Sequence, residues 1–183
     1  CRKYGLFLFV DGARLGYGLT AEGNDVTLPD LAELSDVFYI GGTKVGALFG
    51  EAVVITNPAL QQDFRYVIKQ HGGMLAKGRL LGIQFMTLFE NDLYTEISRH
   101  ANVLAEQIRE VLSQKQVPFL VKSDTNQIFP ILPDDVLAKL QEKYCYTWQE
   151  RIDEKHSAVR FCTSWATKKA AVDELCGDLQ ELL

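Results

Sequence analysis

The stretch Leu6-Phe7-Leu8-Phe9-Val10-Asp11-Gly12-Ala13-Arg14 decides the fold. Five consecutive apolar residues followed by Asp-Gly are typical of a strand that is buried on both faces, as in the middle of a parallel sheet, and that ends in a turn. Such a strand needs neighbours on both edges. Because only a few residues from Cys1 onward come before it, we expect a preceding segment of the sheet to be absent from this chain.

Two further apolar runs follow this strand. They are Val37-Phe38-Tyr39-Ile40, which ends at Gly41-Gly42, and Ala52-Val53-Val54-Ile55. A glycine-rich loop over 12–23 and a short helix near 29–34 are predicted between the first two runs. Three strands joined by loops and a short helix indicate the end of an α/β sheet.

The remainder of the chain alternates between helical spacing and short apolar runs. The predicted elements are helices over 58–71, 75–89 and 93–112, strands at 119–121 and 128–131, a helix over 134–143, strands at 146–148 and 159–162, and a closing helix over 168–183. Asn57 is the predicted cap of the first of these helices, ahead of Pro58. We therefore predict a sheet-bearing part over 1–91, a linking helix over 92–115 and a small α+β domain over 116–183.

Composition excludes several classes of protein. The 183 residues are 47% hydrophobic and 23% charged, as in ordinary globular proteins. Lys and Arg number 19 against 24 Asp and Glu, a net charge of -5 without a basic run, which argues against a nucleic-acid partner. No apolar stretch approaches the roughly 20 residues of a membrane-spanning helix. We expect a cytoplasmic protein.

The four cysteines show no pattern of a bonded or metal-ligating set. No Cys-x-x-Cys pair occurs, and no histidine stands at a spacing suited to zinc. The sequence therefore predicts free thiols, with neither a disulfide framework nor a metal site.

Asp11 and Lys44 are the residues that carry chemistry. Each follows a predicted strand, at the edge where open α/β sheets bind their ligands. Taken singly, Asp11 reads as a plain turn residue and Lys44 as a solvated loop lysine, and the Gly-Gly-Thr-Lys order fits neither a phosphate-binding nor a dinucleotide-binding loop. Together they match the needs of pyridoxal phosphate (PLP). Its aldehyde bonds to a lysine amine, and a carboxylate keeps its pyridine nitrogen protonated.

Six segments resemble a known family, in order along nearly the whole chain. They are Val10-Asp11-Gly12-Ala13-Arg14, Gly42-Thr43-Lys44-x-Gly46-Ala47, Gly50-Glu51, Leu75-Ala76-Lys77-Gly78-Arg79-Leu80-Leu81-Gly82, Thr125-Asn126-Gln127-Ile128-Phe129 and Val159-Arg160-Phe161-Cys162-Thr163-Ser164-Trp165. These segments resemble the C-terminal portion of the threonine aldolase and β-eliminating lyase group, PLP-dependent enzymes of aspartate aminotransferase fold type I. The resemblance implies an α/β, PLP-dependent transferase-like fold, of which this chain would form the end of the large-domain sheet and the small α+β domain.

The resemblance also implies roles for individual residues. Asp11 would contact the pyridine nitrogen, Lys44 would carry the cofactor, and Arg14 would lie near the ring hydroxyl and the substrate carboxylate. Arg160 would hold the α-carboxylate of the substrate, for which a planar guanidinium is suited. Purely surface roles for the two arginines are the alternative.

Three further basic candidates lie in or next to the segment from Gly72 to Arg79. In the family, a basic residue here reaches the cofactor phosphate of a neighbouring subunit. Lys77 is the first choice for that role and Arg79 the second, although either residue is as readily an exposed cation at a helix start. His71 is a candidate acid or base, but a lone histidine before Gly-Gly is more often a surface residue.

By the resemblance, the function would be the cleavage of a β-hydroxy-α-amino acid, threonine or allo-threonine, to glycine and an aldehyde. The alternatives are a β-eliminating lyase or aminotransferase of the same fold, and a non-catalytic fragment or oligomerisation domain. In the family, the phosphate loop, the side chain stacked on the ring and usually the catalytic base precede the Asp11 segment. We therefore expect the isolated chain to be inactive, and the protein to be a homo-oligomer, a dimer or a tetramer.

Overall fold

The chain folds into two compact units, each with its own sheet. A computed structural model describes all residues from Cys1 to Leu183. The first unit comprises Cys1–Leu19 and Gly23–Ile97, and the second comprises Thr20–Glu22 and Ser98–Leu183. The division into 1–91, 92–115 and 116–183 stays a prediction.

Seven helices and seven strands make up the two units. The helices are α1 (Leu15–Leu19), α2 (Leu28–Leu34), α3 (Phe64–Gln70), α4 (Arg79–Phe89), α5 (Leu93–Gln114), α6 (Asp134–Gln141) and α7 (Lys169–Leu182). The strands are β1 (Phe9–Val10), β2 (Val37–Gly41), β3 (Glu51–Ile55), β4 (Gln127–Ile128), β5 (Ile131–Pro133), β6 (Thr147–Arg151) and β7 (His156–Cys162).

The sheet of the first unit has the order β1-β2-β3. Strands β1 and β2 are parallel, whereas β2 and β3 are antiparallel. The prediction of a doubly buried strand over Leu6 to Val10 is wrong for this chain. Only the last two residues form a strand, and Phe7 and Phe9 are 62% and 60% exposed. The reason is that β1 has a partner strand along one edge only.

Local sequence signals set some helix boundaries of the first unit but not others. Thr27 caps α2 with a capping box, as expected for a helix near 29–34. Asn57 does act as a cap, yet it starts only a short 3-10 turn, and α3 begins later, at Phe64. The glycine-rich stretch predicted as a loop contains α1. Tyr17 in the middle of α1 is 1% exposed, so burial of its ring outweighs the low helix propensity of the flanking glycines.

Strand β7 is the centre of the second unit. Strands β4 and β5 follow one another along β7 in an unchanged antiparallel register, and β6 also pairs with β7. The predicted strand at 119–121 is reduced to one bridge between Phe119 and Pro130. The core lies where α5, α6 and α7 pack on this sheet. Its fully buried side chains include Ile108, Leu112, Ile128, Leu132, Leu140 and Leu179.

The structure contains neither a helix suited to cross a membrane nor a cluster of metal-ligating side chains. None of the helices has both the length and the apolar character that are needed to cross a membrane. No group of three or more His, Cys, Asp or Glu side chains is arranged to hold a metal ion.

Candidate cofactor site

The loops that follow β1 and β2 touch each other in the first unit. The Gly41 N–H donates to the Gly12 carbonyl at 2.9 Å. A Cβ atom at Gly12 would collide with the carbonyl of Tyr39, and one at Gly41 would collide with the backbone of Ala13. Only glycine allows this approach. Because the strands are parallel, the contact brings the residues after their carboxyl ends, including Asp11, to one edge of the sheet.

Asp11 is held as a carboxylate by two donors. Its Oδ1 accepts the Ala13 N–H at 3.0 Å and the Tyr39 O–H. The Tyr39 hydrogen bond lowers the pKa of Asp11 most, the Ala13 N–H lowers it next, and the positive charges of Lys44 and Arg14 lower it further. The Oδ2 atom makes no hydrogen bond within the chain. Asp11 therefore presents one uncommitted oxygen near a lysine.

Tyr39 was not identified from the sequence as a site residue, although a signal for it exists. Phe9 pairs with Val37 and Val10 with Phe38, so the next pair in the same register is Asp11 beside Tyr39. That register is a property of the folded sheet. Tyr39 could have been found from the sequence only by pairing the two apolar runs in parallel with their carboxyl ends aligned.

The variant Tyr39→Phe tests how Asp11 is held. Without the phenol donor, the pKa of Asp11 is expected to rise towards its ordinary value. The contribution of Asp11 to stability is present above its unfolded pKa and is lost as the pH falls through its folded pKa, so in the variant the contribution is smaller and its loss is complete at a higher pH. Carbon NMR titration of the Asp11 carboxyl group measures the shift.

Asp30 serves as the internal reference for this titration. Its pKa is lowered by Thr27, which Tyr39→Phe leaves intact. An Asp11 carboxyl group that titrates at the same pH in both proteins would contradict the assigned role of the phenol.

Two buried tyrosines bind backbone carbonyls of the segment that leads to Lys44. The Tyr94 O–H donates to the Gly41 carbonyl at 2.9 Å, and the Tyr17 O–H donates to the Lys44 carbonyl at 2.5 Å. Tyr17 and Tyr94 are 1% and 3% exposed, and burial raises the pKa of Tyr94 well above its ordinary range. Sequence reasoning missed both residues, because each lies far from the loop along the chain.

Glu51 binds the two residues immediately before Lys44. Its Oε2 accepts the Gly42 N–H at 2.6 Å, and its Oε1 accepts the Thr43 O–H at 2.8 Å. The Lys44 side chain is exposed, and its amine makes no hydrogen bond or ion pair within the chain. The backbone before Lys44 is therefore restrained by hydrogen bonds, whereas the Lys44 amine has no partner within the chain.

The other basic candidates of the first unit make no hydrogen bond to Asp11. Arg14 is half-buried, and only its charge acts on the carboxylate. Lys77, Arg79 and His71 are exposed, and their side chains make no hydrogen bond or ion pair within the chain. The charges of Arg14 and Lys44 thus act on the Asp11 carboxylate, and the roles of all six residues stay predictions.

Arg160 lies in the second unit, in the middle of β7. Its Nη1 donates to the Gln127 side chain at 3.1 Å, and its Nη2 donates to the Thr147 hydroxyl at 3.3 Å. Its Nε is buried without a hydrogen-bond partner within the chain. The guanidinium is therefore oriented by two neutral acceptors and has no carboxylate partner.

Comparison with known proteins relates these residues to a family. No family model matches the chain. The low specificity L-threonine aldolase of Pseudomonas sp. is 29% identical over 184 residues, which are 100% of this chain and 52% of that protein. The threonine aldolase of Leishmania major has a TM-score of 0.97 and 41% identity over 100% of this chain and 53% of that chain. This chain is a homologue of the threonine aldolases.

The chain spans about half the length of the threonine aldolases it matches. The low specificity L-threonine aldolase of Pseudomonas aeruginosa is 30% identical over 98% of this chain and 51% of that protein. A serine palmitoyltransferase of Sphingomonas wittichii shares the fold, with a TM-score of 0.70 at 14% identity over 99% of this chain. The predicted kinship with threonine aldolases and the predicted α/β, PLP-dependent transferase-like fold are both confirmed.

Proposed function

We propose that the complete product of the gene encoding this chain is a PLP-dependent lyase. It cleaves a β-hydroxy-α-amino acid, threonine or allo-threonine, to glycine and an aldehyde. The observation that carries the proposal is Asp11, an ionised carboxylate with a free oxygen beside the charge of Lys44, in a homologue of the threonine aldolases. That pair matches what the cofactor requires at its nitrogen and its aldehyde.

The residues of the first unit fit the cofactor chemically. Asp11 has the uncommitted Oδ2 to accept a proton-bearing pyridine nitrogen, and the amine of Lys44 is unpaired and exposed. Bound PLP supplies a ring that accepts the electrons set free when the Cα–Cβ bond breaks. Lys44 would hold it covalently and Asp11 would keep its nitrogen protonated, and by the family resemblance Arg14 would lie near the ring hydroxyl and Lys77 would reach the phosphate in a neighbouring subunit.

Arg160 orients the substrate by its α-carboxylate. Gln127 and Thr147 each occupy one N–H of the guanidinium, so one N–H remains on each Nη atom. The two remaining N–H donors, one on each Nη atom, are available for the two oxygens of a carboxylate. Arg14 is assigned to the same carboxylate by the family resemblance.

Borohydride reduction and product analysis test the proposal. The complete gene product is incubated with PLP, reduced and digested, and the modified peptide is identified by mass spectrometry. We expect the label on Lys44, and glycine with an aldehyde as the products from threonine. A label confined to another lysine would refute the site. 2-Oxobutyrate and ammonia from threonine would indicate β-elimination instead.

We also propose that the chain associates with copies of itself. Helix α4 is apolar on two faces. Leu88 is buried within the unit, whereas Leu80, Ile83 and Met86 are 49%, 48% and 64% exposed. A helix that is apolar all round is normally covered. Sedimentation of the complete gene product should give a dimer or a larger species, and a monomer at micromolar concentration would contradict the proposal.

A further inference from the structure

We propose that Glu51 is the positioning residue for Lys44. Its carboxylate fixes the two residues immediately before the lysine, and so fixes the point from which the Lys44 side chain projects. The inference rests on the proposed role of Lys44 as the cofactor-bearing residue. It adds a residue on a different strand, β3, to the machinery of that site.

Both oxygens of the Glu51 carboxylate are engaged, on consecutive residues. One accepts the Gly42 backbone N–H at 2.6 Å, and the other accepts the Thr43 hydroxyl at 2.8 Å. Hydrogen bonds to an ionised acceptor are shorter and about twice as strong as neutral ones. A pair of such bonds on adjacent residues restrains both the position and the direction of the backbone that enters Lys44.

The loop needs such a restraint because of its own sequence. Glycine has more backbone freedom than any other residue type, so Gly41 and Gly42 do nothing to restrain this backbone. No side chain at Gly42 can take over the restraint, since a Cβ atom there would lie 2.7 Å from the Gly50 carbonyl and 2.8 Å from the Phe85 ring. The Gly42 carbonyl accepts the Val45 and Ala47 N–H groups at 2.9 and 3.0 Å, and Glu51 adds a restraint on the N–H side of the same residue.

The two tyrosines hold other points of the loop. Tyr94 binds the carbonyl of Gly41, and Tyr17 binds the carbonyl of Lys44. Between these two points, Glu51 accepts from the Gly42 N–H and from the Thr43 hydroxyl, and the Gly50 carbonyl lies 3.5 Å from the same hydroxyl. Glu51 is therefore the charged acceptor that holds the two residues before Lys44. Misplacement of a reacting group by about 1 Å costs on the order of a hundredfold in rate.

Amide exchange in the complete gene product tests this restraint without the cofactor. In Glu51→Ala, the Gly42 N–H should exchange on the order of tenfold faster than in the wild type, because a hydrogen bond to a charged acceptor is lost. Amides of β2 serve as a reference for intact folding. Glu51→Gln should restore most of the protection, since its amide can accept from Gly42 and donate to Thr43. Unchanged exchange of Gly42 in Glu51→Ala would overturn the inference.

Cofactor attachment provides the second measurement. The rate at which PLP becomes reducible onto Lys44 should fall about tenfold in Glu51→Ala. It should stay at the wild-type value in Glu33→Ala, which removes an exposed carboxylate of α2 that makes no hydrogen bond. If wild-type Lys44 is never labelled, the proposed function fails, and this inference with it. If the wild type is labelled and Glu51→Ala is labelled equally fast, the inference alone fails.

Discussion

Replacing Lys44 with alanine is expected to abolish both covalent attachment of PLP and cleavage of threonine. The variant removes the lysine whose positive charge acts on Asp11, and with it the amine to which we assign the bond to the cofactor. We expect the rate of glycine formation to fall by on the order of a thousandfold or more, the scale of loss on removing a covalent nucleophile. Glycine formation and visible absorbance with PLP measure the two effects.

Lys69→Ala is the matched control for this experiment. Lys69 is an exposed lysine of α3 whose side chain makes no hydrogen bond or ion pair within the chain. It should keep wild-type activity and absorbance. Because the Lys44 side chain is itself exposed, the alanine variant should unfold at the wild-type temperature. Substantial residual activity in Lys44→Ala would refute the assigned role of the lysine.

Arg160→Lys is expected to weaken substrate binding strongly while the charge is kept. Lysine offers a single ammonium group in place of the planar guanidinium, and it cannot keep both the Gln127 and the Thr147 contacts. The loss of one charged hydrogen bond should raise the KM for threonine roughly tenfold to a hundredfold. Steady-state kinetics of glycine formation measure the change.

A substrate without the carboxylate distinguishes a loss of carboxylate binding from a general loss of enzyme activity. Threonine amide lacks the group that Arg160 is assigned to hold, so Arg160→Lys should change its kinetics little relative to the wild type. Arg99→Lys replaces an exposed arginine of α5 with no partner and should leave both substrates unaffected. An equal effect of Arg160→Lys on threonine and on its amide would contradict the carboxylate role.

Much of the fold was accessible from local patterns. The apolar spacing of α5 and α7 predicted those helices almost to their ends, because helix periodicity and burial of one face agree there. Strand predictions failed where burial depends on partners. The run from Leu6 to Val10 reads as a buried strand, yet in this chain most of it is exposed, because no strand pairs with its second edge.

The residues of the candidate site also divide into those that local sequence patterns reveal and those that they do not. Asp11 and Lys44 could be selected from the sequence because each follows an apolar run and each is a residue type with defined chemistry. The residues that hold them could not be selected. Tyr39 pairs with Asp11 across 28 positions and Tyr94 with Gly41 across 53, and no local pattern encodes such separations.

The sequence by itself therefore determined which groups are the candidates for chemistry: a carboxylate and an amine after successive strands, and an arginine on a later one. Only the tertiary structure decided how those groups are held. The parallel register of β1 and β2 sets Tyr39 beside Asp11, and the pairing of β2 with β3 brings Glu51 back to the loop before Lys44. The physical reason is that hydrogen bonds depend on distances of about 3 Å, and such distances between remote residues exist only once the strands have paired.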